Sequence, residues 1–370
     1  MEVIESTLLA GPYDWDETLV PRAEFEARVG RARKVIKAQG LAGLIVAGNA
    51  PEQGGLCWLT NYVPKMLPSM AFLGADGALQ VRCSGRGSMR DAAQRLTWVE
   101  GVTTIRNPAV EIEDWAKAEG IRAGARVGVW GADHVPNTFT RSVTAGLIAI
   151  GAAAVRMDAD LDLLRARKSD VEIGLLDRAA RLACLAVKRA RARHAEGAGV
   201  RSAMLAGERA AYESGAQDVR LLASFEEGGV PRPLEGPCDP RVERLLGCVM
   251  VRFAGYWAEQ LFTISPEATA ADAAQARLVA MLSAVRPGLT LAGLAAAQDG
   301  YALHPILVAA QGNGIGLSRV EAPVLTVDEP LCEGQTYVLR VGLRGAGTDN
   351  AISSAMFVLR ADGPQILGKG

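Results

Sequence analysis

The sequence predicts an α/β domain followed by an α+β domain. Three observations carry this. A chain of 370 residues exceeds what one small core needs. Strand and helix patterns alternate over roughly the first 160 residues. Beyond that point long helical patterns and clustered strand patterns take over, the arrangement of helices laid on one side of an antiparallel sheet. With 49% hydrophobic and 22% charged residues there is enough apolar material for two cores.

In order along the chain, residues 21–40 have Phe25, Val29 and Ile36 at helical spacing and stop on Gly40, a natural helix end. Residues 41–48, LAGLIVAG, are a short apolar run suited to a buried strand. Residues 70–83 form a hairpin pattern that turns at Asp76-Gly77. A helix near 87–97, a strand near 101–106, a helix near 109–119, a strand at 125–131 and a helix near 137–151 complete the first domain. Residues 157–168 read as the linker. The second domain opens with a long helix, for which Ser169 and Glu172 have the spacing of a capping box. A helix at 200–214, a strand near 217–225, a hairpin near 247–264, helices near 269–285 and 290–298, and strands at 306–311, 335–344 and 354–361 follow. The domains are thus expected to span 1–160 and 161–370.

Net charge is −1, which gives no electrostatic footprint for nucleic acid. The acidic N-terminus lacks the basic and apolar regions of a signal peptide. The longest soft apolar run, residues 143–155, is too short to cross a bilayer. Six scattered cysteines without a CxxC pair fit reduced thiols, so a cytoplasmic location is expected. Only His134, His194 and His304 are present, far apart in sequence. Any chemistry that needs clustered histidines has only these to draw on.

Six stretches of the second half resemble, in order, the creatinase, aminopeptidase P and methionine aminopeptidase superfamily. "LRARKSDVEIGLLDRAARLA" (164–183) resembles its opening helix, "VRPGLTLAGLAAA" (285–297) its "PG-T" helix start, and "GYWAEQLFT" (255–263) its "GY--D-TRT" stretch. "GNGIGLSRVEAP" (312–323) resembles "GHGIGL--HE-P". "GQTYVLRVG" (334–342) falls where the family has "GMV---EPG", and "AMFVLRADG" (355–363) resembles its final strand. The resemblance implies a creatinase-like N-terminal α/β domain and a C-terminal α+β domain of the pita-bread type. It also implies a homodimer and a small-molecule substrate, with neither nucleic acid nor membrane as partner.

In metal-dependent members two Asp, one His and two Glu hold two divalent ions. Mapped here, the first Asp falls within Cys248–Phe253, where no carboxylate occurs. The second falls on Glu259, the His on Asn313, the Glu of "EPG" on Arg340 and the last Glu on Ser354. The second, catalytic histidine falls on Val320. A guanidinium beside a single carboxylate repels divalent ions, so no metal and no other cofactor is expected. Arg340 is instead suited to pair with Glu259, which would otherwise be buried alone.

The resemblance to creatinase, a member that works without metal, gives the functional expectation. This is a metal-independent enzyme cleaving a C–N or amide-type bond of a small, zwitterionic, amino-acid-like substrate. Creatinase's histidine falls near Pro231 and Arg232, where this chain has none. Glu259 and Cys248 are the candidate catalytic groups. Arg340, Asn313, Ser354, Glu321, Arg319, Arg252 and Tyr256 are the candidate substrate contacts. Trp58, Tyr62 and, on a loop of the first domain, His134 are candidate rim residues. The alternative is a non-catalytic protein acting as a binding or dimerisation partner.

Overall fold

The computed structural model describes residues 14–50, 52, 54–65, 67–85, 87–225, 229–265, 269–290, 293–294, 302–303, 312–321, 329–344 and 350–369. The expected helix at 290–298, the strand at 306–311 and His304 lie wholly or mostly outside these residues. The chain divides into two compact units, Met1–Arg165 and Ala166–Gly370.

The first unit contains α1 (Arg22–Ala38), β1 (Gly43–Gly48), α2 (Gly54–Thr60), β2 (Ser69–Gly74), β3 (Leu79–Cys83) and α3 (Gly87–Leu96). β4 (Thr103–Thr104), α4 (Pro108–Glu119), β5 (Arg126–Trp130), α5 (Asn137–Ala149), β6 (Ala153–Arg156) and α6 (Asp158–Ala166) follow. The six strands form one mixed sheet in the order β4-β3-β2-β1-β5-β6. The 70–83 pattern gives the antiparallel β2–β3 pair, and β1–β5 and β5–β6 are parallel. One face packs Ile45, Phe72 and Val127 against Ile112 and Trp115 of α4 and Leu147 of α5. α4 starts where Asn107 accepts the Ala109 N–H at 3.0 Å and Pro108 fixes the first turn.

The expected linker at 157–168 is mostly helix. Met157 and Leu161 are fully buried, so α6 is anchored by its own apolar face. The apolar run 143–155 is the end of α5 running into β6, whereas α2 escaped the sequence pattern because it is short. Trp58 is buried edge-on against Trp130, and the Tyr62 hydroxyl lies 3.5 Å from Ser69 Oγ.

The second unit begins with α7 (Asp170–Ala195) and α8 (Val200–Glu213). The capping box forms as expected: Ser169 Oγ accepts the Glu172 N–H at 3.2 Å, and Glu172 accepts the Ser169 N–H at 3.1 Å. β7 (Asp218–Ser224), β8 (Leu245–Phe253) and β9 (Tyr256–Ile264) make a three-stranded antiparallel sheet. After α9 (Thr269–Ala284), β10 (Ala302–Leu303), β11 (Gly312–Gly314), β12 (Thr336–Arg344), β13 (Asn350–Arg360) and β14 (Gly363–Ile366) make a second antiparallel sheet. Alternation divides β12 and β13. Tyr337, Leu339, Val341, Phe357 and Leu359 pack on Leu278 and Met281 of α9. Val338, Arg340, Ser354 and Met356 take the opposite face.

The two sheets meet where β9 runs beside β13. The Leu261 N–H donates to Ser354 Oγ at 2.7 Å, and Gln260 Nε2 donates to Ser354 O at 2.8 Å. Thr263 Oγ1 donates to Ile352 O at 3.0 Å and accepts the Ile352 N–H at 2.8 Å. Among the described residues no helix is long and apolar enough to cross a membrane.

Candidate functional site

β8 and β9 are joined by Ala254 and Gly255, both at positive φ (46° and 87°), as a tight hairpin requires. That turn fixes the register, pairing Met250 with Glu259 and Cys248 with Leu261. Side chains of Cys248, Met250, Arg252, Trp257, Glu259 and Leu261 therefore share one sheet face. β12 pairs Arg340 with Ser354 and Val338 with Asn313, which brings Arg340 and Asn313 together.

The expected ion pair forms across the two sheets. Arg340 Nε donates to Glu259 Oε1 at 2.5 Å and Nη2 to Oε2 at 3.1 Å, a bidentate pair with both side chains buried. Arg340 Nη1 donates to Asn313 Oδ1 at 2.7 Å. The Asn313 amide donates in turn to Gly314 O at 2.7 Å and Arg319 O at 3.2 Å. Arg319, with its side chain 48% exposed, places Nη1 3.8 Å from Glu259 Oε2. The cluster is thus closed by Arg340 and Asn313 and bordered on its exposed side by Arg319.

Other candidates lie differently. Ser354 serves the seam through its hydroxyl, which accepts from Leu261 N–H. Cys248 is buried beside the cluster. Burial, and next the negative charge of Glu259, push its thiol well above the ordinary value. Arg252 donates from Nε to Gly255 O at 3.1 Å and lies over the Trp257 ring, tying the hairpin end. Tyr256 is on the opposite face from Glu259. Its hydroxyl donates to Glu172 Oε1 on α7 at 3.0 Å, so strand alternation sends it to the helix layer.

Glu321 belongs to the loop after β11. It accepts from Lys168 Nζ at 2.6 Å and from the Ser318 N–H at 3.0 Å, with both charged side chains buried. A Cβ on Gly316 would fall 2.5 Å from its Oε2, so the loop closes on glycine. Lys168 was missed by sequence reasoning. A lysine just before an N-cap carries no pattern that points 153 residues ahead.

His134 ends a single turn at Ala132–His134 in the first unit. His194 lies on α7 with Nε2 2.7 Å from Val242 O. Arg232 is exposed, its backbone paired with Ala223.

The two divalent ions implied by the resemblance do not fit this donor set. Both Glu259 oxygens and the Asn313 amide oxygen already accept from Arg340, and the guanidinium sits where a cation would have to bind. Among the described residues no group of three or more His, Cys, Asp or Glu side chains is gathered. Clefts of about 650 Å³ and about 480 Å³ lie in this unit between α9, α7 and the sheets. They share Gln260 and Gln275, and neither is lined by Glu259 or Arg340.

No family model matches the sequence, and no curated protein is similar to it. Solved structures do share its fold. The Xaa-Pro dipeptidase from Bacillus anthracis superimposes with a TM-score of 0.71 at 17% identity, over 94% of this chain and 98% of that one. Dipeptidase PepE from Mycobacterium ulcerans gives 0.72 at 21%, over 96% and 97%. The prolidase from Pyrococcus horikoshii OT3 gives 0.72 at 17%, over 93% and 98%. The chain therefore has the two-domain pita-bread fold, as its motifs implied.

Proposed function

We propose that this pita-bread chain is a metal-independent hydrolase acting on a C–N or amide-type bond of a small, amino-acid-like molecule. The fold it shares with dipeptidases and prolidases supports the reaction class. The observation that carries the metal independence is the Arg340–Glu259–Asn313 cluster, in which a fixed cation takes the place a divalent ion would need. A zwitterion suits the cluster: Arg319, on its exposed side, offers a partner for a carboxylate, and Glu259, buried behind Arg319, offers one for an ammonium group. Proton transfer then falls to Glu259, which must exchange one Arg340 hydrogen bond for the substrate. Cys248 is given no nucleophilic role, because its thiol stays protonated at neutral pH.

A thermal-shift series with free amino acids, N-acyl amino acids and dipeptides, run with and without EDTA, tests this reading. Stabilisation by a zwitterion is expected, unchanged by EDTA and lost in Arg319→Ala. Product analysis by mass spectrometry should then show C–N cleavage that Glu259→Gln abolishes. Stabilisation that depends on Mn²⁺ or Zn²⁺ would overturn it.

One observation favours the second reading, a non-catalytic binding or dimerisation partner: both Glu259 oxygens are engaged by Arg340. Ligand binding without turnover, or no ligand response at millimolar concentration, would select that reading.

A further inference from the structure

Two cations of the second unit stand in a cleft without a counter-charge of their own. The cleft, of about 480 Å³, runs between α7, β9 and the start of α9. That size falls in the range of small-molecule sites. One wall carries Lys188 and Arg191, at i and i+3 on α7 and therefore on one helix face. Arg191 lays its guanidinium over the Phe262 ring, 5.4 Å from the centroid. The ring is itself fixed, because it lies across Gly247, where a Cβ would fall 2.2 Å from it. Burial pulls the Arg191 guanidinium below its ordinary value. Among the described residues neither Lys188 nor Arg191 has an ion pair or a hydrogen bond. Val187, Leu261 and Ile352 supply apolar lining. Gln260 and Gln275 supply amides where the cleft adjoins the larger one. Asp272, the one carboxylate among the described lining residues, stands in the first turn of α9, where the helix dipole favours it.

We propose that this cleft binds a small organic monocarboxylate with an apolar body, its carboxylate held by Arg191 and Lys188. A guanidinium stacked on an aromatic ring keeps its fork of N–H donors in place, and that fork matches a planar carboxylate. Lys188 adds a second positive charge beside it. Two cations set against Asp272 leave the lining one positive charge in excess, which matches a single carboxylate. Val187, Leu261 and Ile352 then cover the apolar body. Strand alternation turns Gln260 to the face opposite its neighbour Glu259. The cleft is therefore separate from the Arg340–Glu259 cluster, on the other side of the same strand. The proposal holds whether or not that cluster is catalytic.

Cys184 lines the same cleft and can report its occupancy. The exposed Cys238 and Cys332 are first changed to Ser; Cys57, Cys83 and Cys248 are buried. Alkylation of Cys184 by N-ethylmaleimide is then followed by mass spectrometry, with hexanoate and 4-phenylbutyrate as probes. A probe at ten times its Kd should slow the reaction about tenfold and raise the melting temperature. Hexanamide and 4-phenylbutanamide, which lack the charge, and acetate, which lacks the apolar body, should give little protection at the same concentration. Lys188→Met with Arg191→Met should abolish the protection. Both side chains are exposed, so melting of the free variant should stay close to the parent. The amide and acetate comparisons need only the parent, so they decide the matter even if the variant misfolds. No protection by either probe at millimolar concentration would overturn the proposal. So would equal protection by the amides, or protection that survives the double substitution.

Discussion

At the scale of single residues, the Arg340–Glu259 pair dominates. Removing one partner of a buried pair leaves the other charge without compensation, at a cost of about 3–5 kcal/mol. Arg340→Met should therefore lower stability by that amount in urea unfolding, and Arg340→Glu by more, because two carboxylates would face each other. The double variant Glu259→Gln, Arg340→Met should recover much of the loss. Titration adds a second expectation. Burial raises the Tyr62 hydroxyl from 10.0 to about 12 and raises the Cys248 thiol as well. Groups whose folded value is raised keep the folded state better protonated, so their contribution is intact below the ordinary value. It is lost as pH climbs from there toward the folded value. Stability should fall from about pH 9 upward, and Cys248→Ala should flatten the first part of that fall. This pair was legible in the sequence because a charge reversal at one ligand position matched a retained carboxylate at another. Lys168 was not, since its partner Glu321 is distant in the chain and local in space.

At the scale of elements, caps and turns were readable where they use local chemistry. Ser169-x-x-Glu172 gives the capping box of α7, and Gly255 gives the β8–β9 turn. Ser169→Ala should cost about 1 kcal/mol, read as a shift in the urea midpoint. The short α2 was unreadable because seven residues opening on two glycines carry too little helical periodicity to show. Tyr256 shows the limit of motif reasoning within an element. It neighbours the site in sequence, yet the pleat turns it toward Glu172 and α7. The seam of β9 with β13 makes a further expectation. Ser354→Ala strands the Leu261 N–H in a buried place, which costs about 1–3 kcal/mol.

At the scale of the whole molecule, the two-layered order of α/β then α+β was legible from pattern alone, and the pita-bread identity from six motifs in order. The segment 157–168 was misread because charge and Arg content hid Met157 and Leu161, which anchor α6. Five of the six tryptophans, at 15, 58, 98, 115 and 130, lie in the first unit and only Trp257 in the second. Arg340→Met should consequently move the far-ultraviolet unfolding curve of the second unit while most of the tryptophan signal keeps its midpoint. Finally, the seam between β9 and β13 is fastened by side chains, with no backbone ladder among the described residues. Glu259 rides on one sheet and Arg340 on the other, so their contact acts as a clasp between two plates. Its strength sets how far the plates breathe, and hydrogen exchange at Glu259 and Leu261 amides would read that breathing directly.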